Sequence, residues 1–291
     1  MTTMDLKGIP VRVVGPGSQP LAADEQQLDY ISMPNEMARY VAPVLAGPGD
    51  VIGLDGARQA MDWLRAALRD YAVGDAPRLA KLDALDADSR ELVNQVLGEG
   101  EVSLSRSGHL SAKTQEAVLA GVWRTLYFDA DGRIVHDVLE VADAPHVMQI
   151  DPADGRSIDV AADATRPEIA NALPLLVELE SRLALYATER IPHSLNLSLL
   201  PLADAELACL DERLGRGPVE VLSRAYGRCE VLSTRVHDVW WVRYYNSMGT
   251  LILNSLEVVD VPEVVRAAAE DLCDSAIRLD EILAPYRADI A

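Results

Sequence analysis

Shifted by 117 positions, the chain falls on itself: Trp123 lands on Trp240, Leu97-Gly98-x-Gly100-x-Val102 on Leu214-Gly215-x-Gly217-x-Val219, and Leu139-Glu140-Val141 on Leu256-Glu257-Val258. Tyr127 meets Tyr244, Gly132 meets Gly249, Asp143 meets Asp260 and Pro145 meets Pro262, without a gap over roughly 60 residues. A repeat of this kind demands one supersecondary unit built twice. It divides the chain into an N-terminal extended segment (1–53), a first unit (54–150), a linker rich in Asp, Ala and Gly (151–166) and a second unit (167–291).

Within each unit the local signals agree. A short helix is expected over about 87–97 and again over 204–214, with Asp88 and Asp204 as N-caps, Glu91 completing a capping box, and Gly98 and Gly215 closing the ends. Runs with strand character follow: EVSLSR, TQEAVLAG, VWRTLYFD and RIVHDVLEV in the first unit; VEVLSR, RCEVLSTR, VWWVRYYN and TLILNSLEV in the second. DADG and NSMG between the last two runs read as hairpin connections. A helix is expected after Pro145 or Pro262, the second being the long amphipathic run PEVVRAAAEDLCDSAIRLDEIL. Before the first unit's meander, Ala57, Ala60, Met61, Leu64, Ala67, Leu68 and Tyr71 make one apolar helical stripe. Before the second, Pro167 and Glu168 open a helix running to about Arg190, which Pro174 kinks or delays. SLNLSLL (194–200) alternates as a half-buried strand with Leu195, Leu197 and Leu199 on one face. The fold class is α+β: two tandem similar halves, each an antiparallel β-meander covered by helices, whose terminal strands can pair with their twins.

The chain carries a formal charge of −20, which repels a phosphate backbone and excludes nucleic acid as a partner. No run of eighteen apolar residues occurs and the start lacks a charged-then-apolar pattern, so a cytoplasmic protein without a membrane span is expected. Cys209, Cys229 and Cys273 are odd in number and far apart, which suits reduced thiols. The five histidines, His109, His136, His146, His193 and His237, show no ligand spacing, and neither a phosphate loop nor a nucleophile elbow is present. No metal, cofactor or catalytic group is therefore expected, which favours a binding role over an enzyme.

The segment WWVRYYNSMG (240–249) concentrates four of the fourteen aromatics. Trp240 and Tyr244 keep their type in the first unit as Trp123 and Tyr127, as shared core packing requires. Trp241, Arg243 and Tyr245 face the other way and become Arg124, Leu126 and Phe128, while Met248 stands where the first unit has Asp131. This second set either packs on a helix or sheet, or forms a partner-binding patch of the Trp, Tyr, Arg and Met type.

The residues LGRGPVEVLSRAYGRCEVLSTRVHDVWWVRYYNSMGTLILNSLEVVDVPEVV (214–264), with HSLNLSLLPL (193–202) and ISMPNEM (31–37), resemble the HupH/HyaF (HoxQ-like) family of expression and maturation proteins for uptake NiFe hydrogenases. The second unit is similar to the HupH C-terminal domain, which members carry twice. The resemblance implies an accessory chaperone for the iron–sulfur small-subunit precursor before export, with that precursor, its twin-arginine signal peptide and a thioredoxin-like co-chaperone as partners. An acidic surface suits a basic signal peptide. The alternatives are a metal-handling or redox-protective factor, resting on His193, His237 and Cys229, and a scaffold dimerising through sheet edges. The N-terminal residues 1–27 suit a segment that orders on binding.

Overall fold

The apolar stripe from Ala57 to Tyr71 becomes helix α1 (Asp55–Asp70), which buries Ala57, Met61, Leu64 and Leu68. The computed structural model describes residues 54–151, 155–158, 169–224 and 227–287. The expectations for segment 1–53, for most of the linker and for a helix opening at Pro167 and Glu168 lie outside those residues. After α1 come strand β1 (Arg78–Lys81), helix α2 (Ala87–Leu97) and the strands β2 (Val102–Arg106), β3 (Ser111–Glu116), β4 (Val122–Phe128) and β5 (Ile134–Val141), then a 3-10 turn at His146–Met148. The same order returns as α3 (Ala172–Glu189), β6 (His193–Asn196), α4 (Asp204–Leu214), β7 (Arg216–Ser223), β8 (Arg228–Thr234), β9 (Val239–Tyr245), β10 (Leu251–Val258) and a turn at Glu263–Val265, before a final helix α5 (Ala269–Arg287). The bounds of α2 and α4, β4 and β9, β5 and β10 and the two 3-10 turns each differ by 117.

Among the described residues, ten strands form a single antiparallel sheet in the order β1-β5-β4-β3-β2-β7-β8-β9-β10-β6. The seam is β2 on β7, with Val102 opposite Ser223, Leu104 opposite Val221 and Arg106 opposite Val219. Each meander's first strand thus satisfies the exposed backbone groups of its twin, which removes two open edges from the middle of the sheet.

The core follows the same logic. One apolar cluster joins α1, α2, α5, Trp123 and Leu139 to Val219, Val221, Val231, Trp240 and Val242, so side chains of both halves share it. A second, smaller cluster packs α3 and α4 on Trp241, Leu256 and Val258. Trp123 and Trp240 are fully buried, and each indole N–H donates to a carbonyl 19 residues later, Ala142 at 2.9 Å and Val259 at 3.0 Å. Burial of a polar N–H demands such an acceptor.

Five local expectations change. Asp86, not Asp88, caps α2 by accepting from Ser89 N–H, and Glu91 instead accepts from Gln95. The residue before α4 is Ala203, and the nearby Glu206 carboxylate accepts its N–H together with that of Asn171. The strand read in TQEAVLAG is β3 at Ser111–Glu116, because residues 117–121 turn towards β4. The long helix after Pro262 waits until Ala269, since the intervening residues form a 3-10 turn and a crossing in which Ala267 N–H bonds Asp143 O. SLNLSLL stops being a strand at Asn196, whose side chain accepts from Ser198 N–H and starts a turn that leaves Leu199 80% exposed while Leu195 and Leu197 stay buried.

Gly98 and Gly215 close α2 and α4 at φ 56° and 62°, as their place after each helix requires. Gly100 and Gly217 are needed for another reason. A Cβ at Gly100 would lie 2.3 Å from Ala117 O, and one at Gly217 would lie 2.4 Å from Thr234 O. Both obstacles are backbone, so Gly100→Ala or Gly217→Ala is expected to cost about 2 kcal/mol or more by forcing strands apart. Urea unfolding of either variant at wild-type stability would refute the close approach.

Candidate partner-binding face

Alternation along β9 sends Trp240, Val242 and Tyr244 into the shared core and Trp241, Arg243 and Tyr245 to the opposite face. On that face Trp241 is only 4% exposed. It lies in the cluster under α3 and α4, and its indole N–H donates to Asn254 Oδ1. The packing alternative therefore describes Trp241 itself. Arg243 and Tyr245, the next residues on that face of β9, are half-buried.

Arg243 lies over the Trp241 ring, 4.7 Å from its centroid. Register puts Arg243 opposite Glu230 and Tyr245 opposite Arg228 on β8. Tyr245 Oη donates to Glu230 Oε2 at 3.1 Å, the Arg228 guanidinium pairs with Glu230, and it stands 5.3 Å from the Tyr245 ring centroid. Burial first, and then the bond to Glu230, raise the Tyr245 hydroxyl above its ordinary pKa. The result is a lattice in which aromatic faces and guanidinium groups alternate. Cation–π contacts of this kind contribute about 0.5–1 kcal/mol each when half exposed, and they hold long side chains in place. Met248 is separate, 87% exposed at the tip of the β9–β10 hairpin, where Asn246 Oδ1 accepts from Met248 N–H and Thr250 N–H. Gly249 closes that hairpin at φ 77°, as Gly132 closes its twin.

The lattice borders a groove of about 850 Å³ that crosses the seam. Lys113, Gln115, Arg124 and Leu126 contribute from the first half, Glu220, Leu222, Arg228, Glu230 and Leu232 from the second, and the end of α2 contributes Asn94 and Leu97. No stretch of sequence announced it, because its floor exists only once β2 pairs with a strand more than a hundred residues away. Across the groove the first half shows different chemistry. Arg124 forks onto Asp137 at 2.9 and 2.6 Å, and Phe128 sits under Lys113.

The residues of the metal-handling alternative lie apart. His193 meets Glu178 at 3.0 Å on β6, His237 meets Asp238 at 3.1 Å beyond β8, and Cys229 is buried in the shared core with its thiol pushed up to about 11, chiefly by burial. Burial thus keeps this thiol protonated at neutral pH and lowers its nucleophilicity. Among the described residues, no group of three or more His, Cys, Asp or Glu is placed to hold a metal ion, and no helix is long and apolar enough to cross a membrane.

Residues 56–163 and 169–286 each match the family model described as "HupH hydrogenase expression protein, C-terminal conserved region". The chain is 42% identical over 282 residues to the hydrogenase expression/formation protein HoxQ of Cupriavidus necator, covering 94% of this chain and 96% of that protein. It is 39% identical over 211 residues to the hydrogenase expression/formation protein HupH of Rhizobium leguminosarum bv. viciae, covering 72% and 74%. Among solved structures, the hydrogenase expression protein HupH from Thiobacillus denitrificans aligns at 31% identity with a TM-score of 0.38, over 40% of this chain and 96% of that one.

Proposed function

The chain belongs to the HupH family of hydrogenase expression proteins, and from that premise we propose that it is a non-catalytic cytoplasmic chaperone that holds the iron–sulfur small-subunit precursor of an uptake hydrogenase before twin-arginine export. A role in hydrogenase expression and maturation follows from the names its relatives carry. The finer reading rests on one observation: the Trp241, Arg243, Tyr245 lattice beside the seam groove has no counterpart 117 positions earlier, where Arg124, Leu126 and Phe128 stand. Of the residues changed between the halves, Trp241 is taken up by packing under α3 and α4, and Arg243, Tyr245 and Met248, which are not buried, are free to serve a partner. The net charge of −20 supports the same reading by complementing a basic signal peptide, which speeds encounter and orients it. We also read residues 54–150 and 167–291 as two copies of one domain, of which the second carries the partner surface.

The test uses purified protein and purified precursor. Arg243→Ala/Tyr245→Ala/Met248→Ala is expected to weaken binding tenfold or more, about 1.4 kcal/mol, while the circular dichroism and melting temperature stay near wild type. Trp241 is left intact because its burial makes it a folding residue. Undiminished binding by the triple variant would move the surface elsewhere, and no binding by the wild type would end the chaperone reading. Repeating the titration without the signal peptide separates a contact to that peptide from one to the mature subunit.

A further inference from the structure

Acidic residues outnumber basic ones by 46 to 26 in this chain, yet one cleft of about 740 Å³ has no Asp or Glu among its lining residues. It opens where the turn after β2, the start of β7 and the end of β8 meet the 3-10 turn at His146–Met148. Arg106, Arg216, Arg235, His109, His146 and His237 line it. Arg106 is fixed there by donating to Val147 O and Gln149 O, at 2.9 and 2.8 Å, so its charge is positioned without being neutralised. His146 is held between the buried Glu140 carboxylate and Tyr127 Oη, and His237 between Ile150 O and Asp238; these two carboxylates are turned to the histidines. Arg216 and Arg235 are exposed, and neither forms an ion pair among the described residues.

The other half of the molecule supplies an internal control. At the positions 117 residues away, Arg106 is replaced by Ser223, Arg216 by Glu99, Arg235 by Val118, His237 by Ala120 and His146 by Glu263. The helices and strands around them keep their bounds or nearly so. The backbone is therefore built without any of these cations, and gathering three guanidinium groups in one cleft repels them from one another. Folding alone does not ask for that arrangement.

We infer that this cleft binds a small multivalent oxyanion, a phosphate ester or a polycarboxylate. Guanidinium forks match the geometry of both groups, and the volume lies in the range of small-molecule sites, about 300–1,000 Å³. A small anion fits better than an acidic polypeptide. With screening over about 8 Å at physiological salt, a compact ligand feels the local cations, whereas a polypeptide runs on over a surface of the same sign as itself. The site is independent of the precursor and of the face on β9.

Isothermal titration of the full chain with citrate and with pyrophosphate, at constant ionic strength, tests the assignment. Saturable one-to-one binding of at least one of them is expected, with a dissociation constant below about 1 mM. Arg216→Ala/Arg235→Ala is expected to weaken it at least tenfold, whereas Arg133→Ala at the exposed β4–β5 hairpin leaves it unchanged. The arm that binds separates a phosphate from a carboxylate ligand. No saturable binding of either anion, or equal binding by the double variant, would overturn the site.

Discussion

Replacing Trp240 with alanine is expected to lower the free energy of unfolding by about 4 kcal/mol, and Trp123→Ala by a similar amount. Each indole is essentially without solvent exposure, each fills the shared cluster, and each satisfies a carbonyl that would lose its partner, Val259 O or Ala142 O. The loss therefore combines a large cavity with an orphaned acceptor. Because one cluster includes Trp123, Val102 and Leu104 with Val219, Val231 and Trp240, damage in either half is expected to lower a single cooperative transition in urea. Two separated transitions, or a loss under about 1 kcal/mol, would show that the halves do not share a core in the way described.

Glu116→Gln is expected to act in the opposite direction, raising stability at alkaline pH. Burial raises this carboxyl to about 7, with the Val102 and Gly121 amides pulling it partly back and Glu101 and Asp271 adding to the rise. The folded state thus holds the proton more tightly than the unfolded one. Below the ordinary carboxyl value both states are protonated and the group costs nothing. As pH climbs from about 4.5 to 7 the unfolded chain ionises first, and above 7 the full penalty of about 3 kcal/mol applies. Gln removes it, so the variant should melt several degrees higher than wild type at pH 8 and nearly together with it at pH 4. A pH-independent difference would assign the effect to packing. The second half already uses a neutral group here: Ser233, 117 positions on, accepts Val219 N–H at 2.8 Å through its hydroxyl.

Much of the fold was legible because it is local. The bounds of α2 and α4 follow from a 3.6-residue stripe closed by Gly98 and Gly215, and β4, β5, β9 and β10 follow from alternation broken by DADG and NSMG. The misreadings sit where a local preference met a tertiary demand. Leu199 continued an alternating pattern that Asn196 ends with a turn, and the run after Pro262 has helical periodicity that the chain uses only from Ala269, after the crossing that bonds Ala267 to Asp143. Trp241, Arg243, Tyr245 and Met248 stand out in the sequence because their counterparts 117 positions earlier differ, but which of them would be packed under helices depends on how α3 and α4 settle on the sheet.

The sequence by itself therefore determined most of the helices and strands and the two buried tryptophans, since period, caps and turns act over a few residues. Tertiary structure alone decided that β2 and β7 would join the halves into one sheet with one main core. It also decided that Glu230 and Arg228 would brace Tyr245 beside a groove, and that Arg106, Arg216 and Arg235 would meet in one cleft. The seam, the groove that crosses it and the cleft depend on pairings between residues more than a hundred positions apart, which only backbone hydrogen bonding across the seam and burial of the shared apolar faces can select; the bracing of Tyr245 itself is a contact within the β8–β9 hairpin.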